Sequence, residues 1–302
     1  MKRVTILGSL NIDTTLKIEH FPLPGETVEA ISKSSTAGGK GANQAVAAAR
    51  LGAKTYFIGC VGQDSSGKYL TAALAEEGID TANILRDSKA GTGTANILLD
   101  KSGQNSIVIY GGANRRITAA QIQAAVNQLA ASEFLVAQFE TSLEMTLKAF
   151  TIAHQQGVKT ILNPAPAHKI APELLQVTDL IVPNEIESCL ITGIKITDQD
   201  SMEKTAQKFR EMGIANLIIT LGSRGVYYAI GDKSELVPAF KVRAVDTTAA
   251  GDTFIGALAA KLDSDFSNMA AAIKFAQKAS SITVQRLGAQ AAIPTLTEVE
   301  ED

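Results

Sequence analysis

Tryptophan is missing from this chain, aromatic residues of all kinds make up 5%, and there are only two cysteines and three histidines. So few rings leave little material for a platform on which nucleobases stack. Cys60 and Cys189 cannot form a metal cluster by themselves. Their apolar settings (YFIGC and ESCLI) read as two buried reduced thiols. His20, His154 and His168 are scattered without metal-ligand spacing. Charge of one sign is lacking too. The formal net charge is -3, so no global positive field exists to hold a nucleic-acid backbone or an anionic membrane. An anionic ligand would need local donors. No stretch approaches the ~20 apolar residues of a membrane span. At the N-terminus VTILGSL gives way at once to Asn11 and Asp13, which reads as a first buried strand and not a signal peptide. A cytosolic location is expected.

Several catalytic signatures are also absent. There is no G-x-S-x-G elbow, and Gly8 is followed by SLNID, so the first βα turn has no dinucleotide fingerprint. GQDSSGK (62 to 68) matches most of a P-loop. Tyr69 follows, however, where a P-loop needs a Ser or Thr hydroxyl for Mg²⁺.

What is present is a 45% hydrophobic chain of 302 residues, enough for one large α/β domain. Short β-rich runs alternate with Ala-rich helical stretches, which predicts an α/β fold with a parallel sheet covered by helices. VTILGS precedes the helix GANQAVAAARLG, closed by Gly52, and TYFIGCVG precedes the helix GKYLTAALAEEG. SEFLVAQFE, KTILNP, DLIVPN and NLIITLG read as later strands, each followed by a helical pattern. Asn11, Glu140, Asn163, Asn184 and Thr220 fall at strand ends, where α/β sheets place ligands. Two regions alternate differently: 14 to 34, with segments 14 to 19 and 27 to 34 around a Pro/Gly turn, and 94 to 110, a hairpin turning at KSGQN. They are expected to form a small second sheet, a lid.

Four segments carry candidate chemistry. In AGGKGANQA (37 to 45) glycines allow close backbone approach, a helix is expected from about Ala42, and Lys40 and Asn43 add donors. An ordinary glycine turn reads equally well. In VDTTAAGDTFIGALAAKL (245 to 262) the turn Ala249, Ala250, Gly251 opens an apolar helix whose free amides could hold a phosphoryl group's developing charge. Asp252 could accept a hydroxyl proton there, or could simply be an N-cap. TLGSRGVYY (220 to 228) sets Gly222 and Gly225 about Ser223 and Arg224, either cupping nucleotide phosphates or making a plain hairpin turn. In NEIES, Asn184 and Glu187 lie one helical turn apart and could hold a hydrated Mg²⁺ indirectly, or cap a helix start.

Together these segments resemble the ribokinase family of carbohydrate kinases. GSLNID, FPLPGET, GGKGANQAVAAARLGA, GANRRIT, LNPAPA, IVPNEIE, ITLGSRGV and VDTTAAGDTF occur in the family's order between Val4 and about Pro294. The resemblance implies a central mostly parallel sheet with helices on both faces, plus a small β-sheet lid, and transfer of the ATP γ-phosphoryl to the primary hydroxyl of a pentose, ribose above all. Alternatives are deoxyribose, a hexose or a nucleoside, or a catalytically silent sugar-binding protein on the same fold. It implies sugar contacts from Asn11, Asp13, Gly39, Lys40, Asn43, Glu140 and Asp252. Asp252 would be the general base, with Ala249, Ala250 and Gly251 as the anion hole. ATP would meet Asn184, Thr220, Gly222, Ser223, Gly225 and Gly251. Gln277 would lie by the adenine, where His or Asn is expected. Glu187 would help order Mg²⁺. A K⁺ site would fall on Asp246, Thr248, Thr283, Arg286, Gly288 and Ala292. A homodimer through the lid is expected.

Overall fold

The computed structural model describes residues 1–301. Thirteen strands divide between two sheets. The larger sheet contains β1 (Arg3–Leu7), β4 (Lys54–Gly62), β5 (Asp80–Asp87), β8 (Phe134–Ala137), β9 (Lys159–Leu162), β10 (Leu180–Ile181), β11 (Asn216–Thr220), β12 (Val226–Ile230) and β13 (Lys233–Val237). Its order is β13-β12-β11-β10-β9-β8-β1-β4-β5, parallel from β11 to β5, with β12 and β13 antiparallel. Hence NLIITLG leads into a hairpin and not, as its sequence neighbours suggested, into a helix.

The strand runs are continuously apolar because the sheet is covered on both faces. Val4, Ile6 and Val136 join one core with the helices Lys40–Arg50, Ala250–Lys261 and Met269–Thr283. Leu7, Leu135 and Ala137 join the other with Leu143–Gln155 and Gln199–Glu211. The chain winds outward from β1 in one direction through β4 and β5, and in the other through β8 to β11. The crevice at such a reversal, beyond the strands' carboxyl ends, is where this architecture accepts ligands. Gly8 and Ser9 leave β1 there, and Gln138 to Glu140 leave β8.

The second sheet contains β2 (Asn11–Lys17), β3 (Ser32–Gly38), β6 (Gly93–Leu99) and β7 (Asn105–Tyr110), in the order β3-β2-β6-β7. This is the expected lid with shifted bounds. β2 starts at Asn11, and β3 begins at Ser32 and continues through Ala37 and Gly38. Residues 27 to 31, expected in a strand, are not in one. The first half of the glycine signature is therefore lid strand, and its helix starts at Lys40, two residues before the expected Ala42. Of the cysteines, Cys60 is buried but Cys189 is only half-buried. Among the described residues no helix is long and apolar enough to cross a membrane.

The rejected P-loop match also receives a structural account. Asp64 caps the helix Ser65–Glu76, accepting from Gly67 N (2.8 Å), and also takes the Thr92 hydroxyl (2.6 Å). The helix start that a P-loop would offer to phosphate is filled by the chain's own carboxylate.

Candidate active site

Two helices pack closely enough to bring distant residues together. Gly256 of the helix Ala250–Lys261 lies against Lys40–Arg50, and a Cβ added there would fall 2.5 Å from Ala47 Cβ and 2.5 Å from Gln44 O. Gly8 and Gly41 likewise touch, an added Cβ on either lying 2.5 Å from the other's Cα. These contacts fix the helix Lys40–Arg50 over the end of β1 and beside Asp252.

Asp252 is not the helix cap. Ala249 holds that place in a left-handed conformation (φ 58°), and Asp252 is the third helical residue. Its side chain is buried, and both oxygens accept amide donors. Asn43 Nδ2 donates to Oδ2 and Gln44 Nε2 to Oδ1, each at 3.0 Å. The cap reading of this residue is thereby excluded. Behind it the Gly251 and Asp252 N–H groups have no intrahelical acceptor. The Ala250 N–H is taken by the Thr247 carbonyl (3.2 Å), so of the three expected anion-hole residues Ala250 is already engaged. A Cβ on Gly251 would meet nothing within 4 Å, so this turn opens onto free space.

That space is a cavity of about 210 Å³, lined in part by Lys40, Asn184, Glu187, Thr220, Ala249, Gly251 and Asp252. Residues expected from four separate segments thus meet in one place. A larger open depression of about 510 Å³ lies elsewhere, beside Ile282, Arg286 and Glu298. Its acid and base are paired with each other (2.7 Å), and it holds none of these groups.

The glycine signature works differently from the expectation. Its helix-start amides are all satisfied within the protein. Lys40 N donates to Glu140 Oε2 (3.1 Å), Gly41 N to Ser9 Oγ (3.3 Å) and Ala42 N to Ser9 O (2.9 Å). Glu140, which also takes the Ser9 hydroxyl at 2.5 Å, holds this helix start in place. The signature therefore presents side chains to the cavity instead of amides. Lys40 sits amid carboxylates: Asp252 contributes most to raising its pKa against burial, followed by Glu140, Glu187 and Asp13.

In the lid, Asn11 and Asp13 stand at the start of β2, outside the lining of this cavity, with Asp13 near enough to Glu140, Asp252 and Lys40 to feel their charges. The Asp13 side chain lies against Gly38, the register partner of Asn11, where an added Cβ would come 2.0 Å from its Oδ2, so no side chain fits at position 38. Burial, helped by Glu140 and Asp252 and opposed by Lys40, pushes the Asp13 carboxyl up to about 7. Gly39, next in line at φ 93°, makes the turn from strand to helix.

Asn184 and Glu187 form a full capping box. Glu187 N donates to Asn184 Oδ1 (2.7 Å) and Asn184 N to Glu187 Oε2 (2.9 Å). The cap and the ligand readings coexist, because both residues also line the cavity. Burial raises the Glu187 carboxyl, against the Asn184 N–H and Lys40.

Other expected residues stand apart. Gly222, Ser223 and Gly225 form the tight turn between β11 and β12, outside this cavity, as does Gln277, whose Nε2 donates to Val237 O (3.1 Å). Of the expected cation set, Asp246 joins Thr248 N (2.9 Å), Thr248 Oγ1 (2.6 Å) and Gly288 N (2.9 Å). Arg286 instead turns to Glu298, and Thr283 Oγ1 to Thr253 and Ala279 O. Ala292 is buried in a single 3-10 turn.

Sequence reasoning missed Gln44, Gln138 and Asn114, all fully or almost fully buried. Gln44 could have been suspected as a polar residue inside an Ala-rich helix, next to Asn43. Asn114 lies in GANRRIT, and gave no chemical signal of its own.

A lidded parallel sheet that buries an acid between a helix start and a lysine defines a small-molecule phosphotransferase. The model of the pfkB family of carbohydrate kinases matches residues 1–296, and the chain belongs to that family. It is 45% identical over 300 residues to the ribokinase of Staphylococcus aureus (strain COL), covering 99% of both chains. A deoxyribokinase of Salmonella typhimurium is 33% identical over 299 residues, covering 99% of this chain and 97% of the relative. The solved structure of Arabidopsis thaliana ribokinase complexed with ribose and ATP superposes with a TM-score of 0.90 at 30% identity, covering 100% of this chain and 98% of that one.

Proposed function

We propose that the protein transfers the γ-phosphoryl group of ATP to the primary hydroxyl of D-ribose, giving ribose 5-phosphate and ADP. The observation that carries this is Asp252, a buried carboxylate facing the cavity with both oxygens held by amides. It takes the proton from the hydroxyl as the new O–P bond forms and the bond from Pγ to the bridging oxygen of ADP breaks. The helix-start amides at Gly251 and Asp252 and the Lys40 ammonium lie where negative charge is passed along. Asn11, Asp13 and Asn43 hold the sugar beneath the second sheet. Asn184 and Thr220, which line the cavity, contact ATP, and Gly222, Ser223, Gly225 and Gln277 would meet the parts of the nucleotide that extend beyond it. The greater identity to the ribokinase than to the deoxyribokinase favours ribose.

Mg²⁺ would neutralise phosphate charge. Glu187 spends Oε2 on the capping box, which leaves Oε1 to meet the ion through water. Among the described residues no group of three or more His, Cys, Asp or Glu could hold it directly, consistent with an ion held mainly by phosphates and water. A K⁺ site would use the loop that Asp246 ties to Gly288, close to the catalytic turn. The same reading takes the chain as a single kinase domain that works in the cytoplasm and dimerises through the lid.

ADP release with D-ribose, 2-deoxyribose, fructose and adenosine tests the assignment. Ribose should give the highest kcat/KM. Absence of ribose-dependent ADP release would overturn it.

A further inference from the structure

The catalytic carboxylate stands at the end of a chain of buried amides whose orientations are fixed from both ends. Asn163 Nδ2 donates to the Val182 carbonyl (3.0 Å), so its Oδ1 faces inward as an acceptor. Gln44 Nε2 donates to that Oδ1 (3.2 Å) and to Asp252 Oδ1 (3.0 Å). A carboxylate can only accept, so the Gln44 amide has one workable orientation. Its Oε1 then receives Gln138 Nε2 at 2.6 Å. Gln44 and Gln138 have no exposed surface at all, so water cannot substitute for either partner. Buried amides are costly to keep and packing alone does not require them.

We infer that Gln44 is a positioning residue for Asp252, and that Gln138 and Asn163 hold the Gln44 amide in its working orientation. Together with Asn43 on the other oxygen, Gln44 stops rotation of the carboxylate. The remaining lone pairs then stay aimed at the cavity. The inference rests on Asp252 being the base, as proposed above. Small misplacement of a reacting group costs up to about 10²-fold in rate, so the device should show in kcat.

The test is a double-mutant cycle read by steady-state kinetics, with sugar affinity by calorimetry. Gln44→Met keeps length and apolar packing but removes the donor. We expect kcat to fall about 10- to 100-fold, with the ribose Kd changed less than about threefold. In the Asp252→Asn background the same substitution should have no further effect on the residual rate, because nothing is left to position. Gln138→Met, which touches Asp252 only through Gln44, should show a smaller loss that also vanishes in Gln44→Met. It carries the test by itself if Gln44→Met does not fold. A Gln44→Met enzyme with wild-type kcat, or a loss that persists undiminished in Asp252→Asn, overturns the inference. If Asp252→Asn itself turns over at the wild-type rate, the failure lies with the base assignment instead.

Discussion

Asn114 donates from Nδ2 to the Oδ1 of Asn11 at 2.8 Å, and its own orientation is fixed by the backbone of Leu10, which it binds through both Oδ1 (2.9 Å) and Nδ2 (3.1 Å). Gly93 makes room, since a Cβ there would lie 2.2 Å from Asn11 Oδ1. With Oδ1 held by Asn114, Asn11 would serve the sugar on the proposed reading through its NH₂, as a donor, and Asp13 as an acceptor.

Sugar choice follows. Deoxyribose lacks the 2-OH and leaves a buried donor unsatisfied at ~1–3 kcal/mol, so ribose should be preferred by roughly one to two orders of magnitude in kcat/KM. Asn11→Met should narrow that ratio by harming ribose more. Asn114→Leu should narrow it in the same direction by freeing Asn11 to flip. An unchanged ratio in both variants, measured with both sugars, would show that Asn11 does not read the 2-OH.

Asp252→Asn should lose at least about 10²–10⁴-fold in kcat, the range for a general base. It is not a silent isostere. Both oxygens accept N–H groups, so the new NH₂ must face a donor, whichever way it turns. An unsatisfied buried pair of this kind costs about 1–3 kcal/mol, and thermal unfolding should come a few degrees lower. Near wild-type turnover would show that the carboxylate takes no proton.

Asp13 gives the site a pH dependence. Its folded pKa, about 7, lies above the ordinary carboxylate value, so the folded state holds the proton longer than the unfolded chain. This stabilises the sugar-free protein most below the unfolded pKa, and the contribution is lost as pH rises through about 7. Sugar affinity should run the other way, because the ionised form is the acceptor. Calorimetry between pH 6 and 8 should show ribose binding tightening by about tenfold, with proton release, and Asp13→Asn should flatten the profile. A flat wild-type profile would count against Asp13 as an acceptor for the sugar.

Activity should be higher in K⁺ than in Na⁺ or a bulky organic cation. Asp246 holds Thr248 and Gly288 together just ahead of the turn that bears Asp252. Asp246→Ala should lower kcat and erase the distinction between cations. Equal rates in all three salts with the wild-type protein would argue against a cation beside this loop.

The lid strand β7 exposes Ile107, Val108, Ile109 and Tyr110, each more than half exposed, along an unpaired edge. Such an edge invites pairing. Light scattering at micromolar concentration should give a dimer, and Ile107→Lys with Ile109→Lys should give a monomer. A wild-type monomer would refute the lid interface.

Much of this was legible because the parallel strands carry continuous apolar runs and the two glycine-alanine turns are dense local signals. Lys40, Glu187, Gly251 and Asp252 were found that way. What could not be read was long-range. Gln44 meets Gln138 across 94 residues, and Asn114 meets Asn11 across 103. Gln138 and Asn114 do not differ in sequence from ordinary surface residues, and Gln44 stands out only as a polar residue within an Ala-rich helix. Local patterning also misassigned Ala37 and Gly38, because a single residue, Gly39, makes the whole turn from strand to helix and leaves no loop to separate them. The hairpin turn at Gly222 to Gly225 was one of two readings of TLGSRGVYY, while β13, a mostly exposed polar edge strand, carried no apolar run to mark it.

The amides around Asp252 have a further consequence for how the enzyme resets between turnovers. A carboxylate flanked by Asn43 and Gln44 has donors on its inner side and nothing that can take a proton onward. On the mechanism proposed above, the proton captured from the sugar leaves from the cavity side of the carboxylate, to the product phosphate or to water. Chemistry and recovery then use the same face of one side chain.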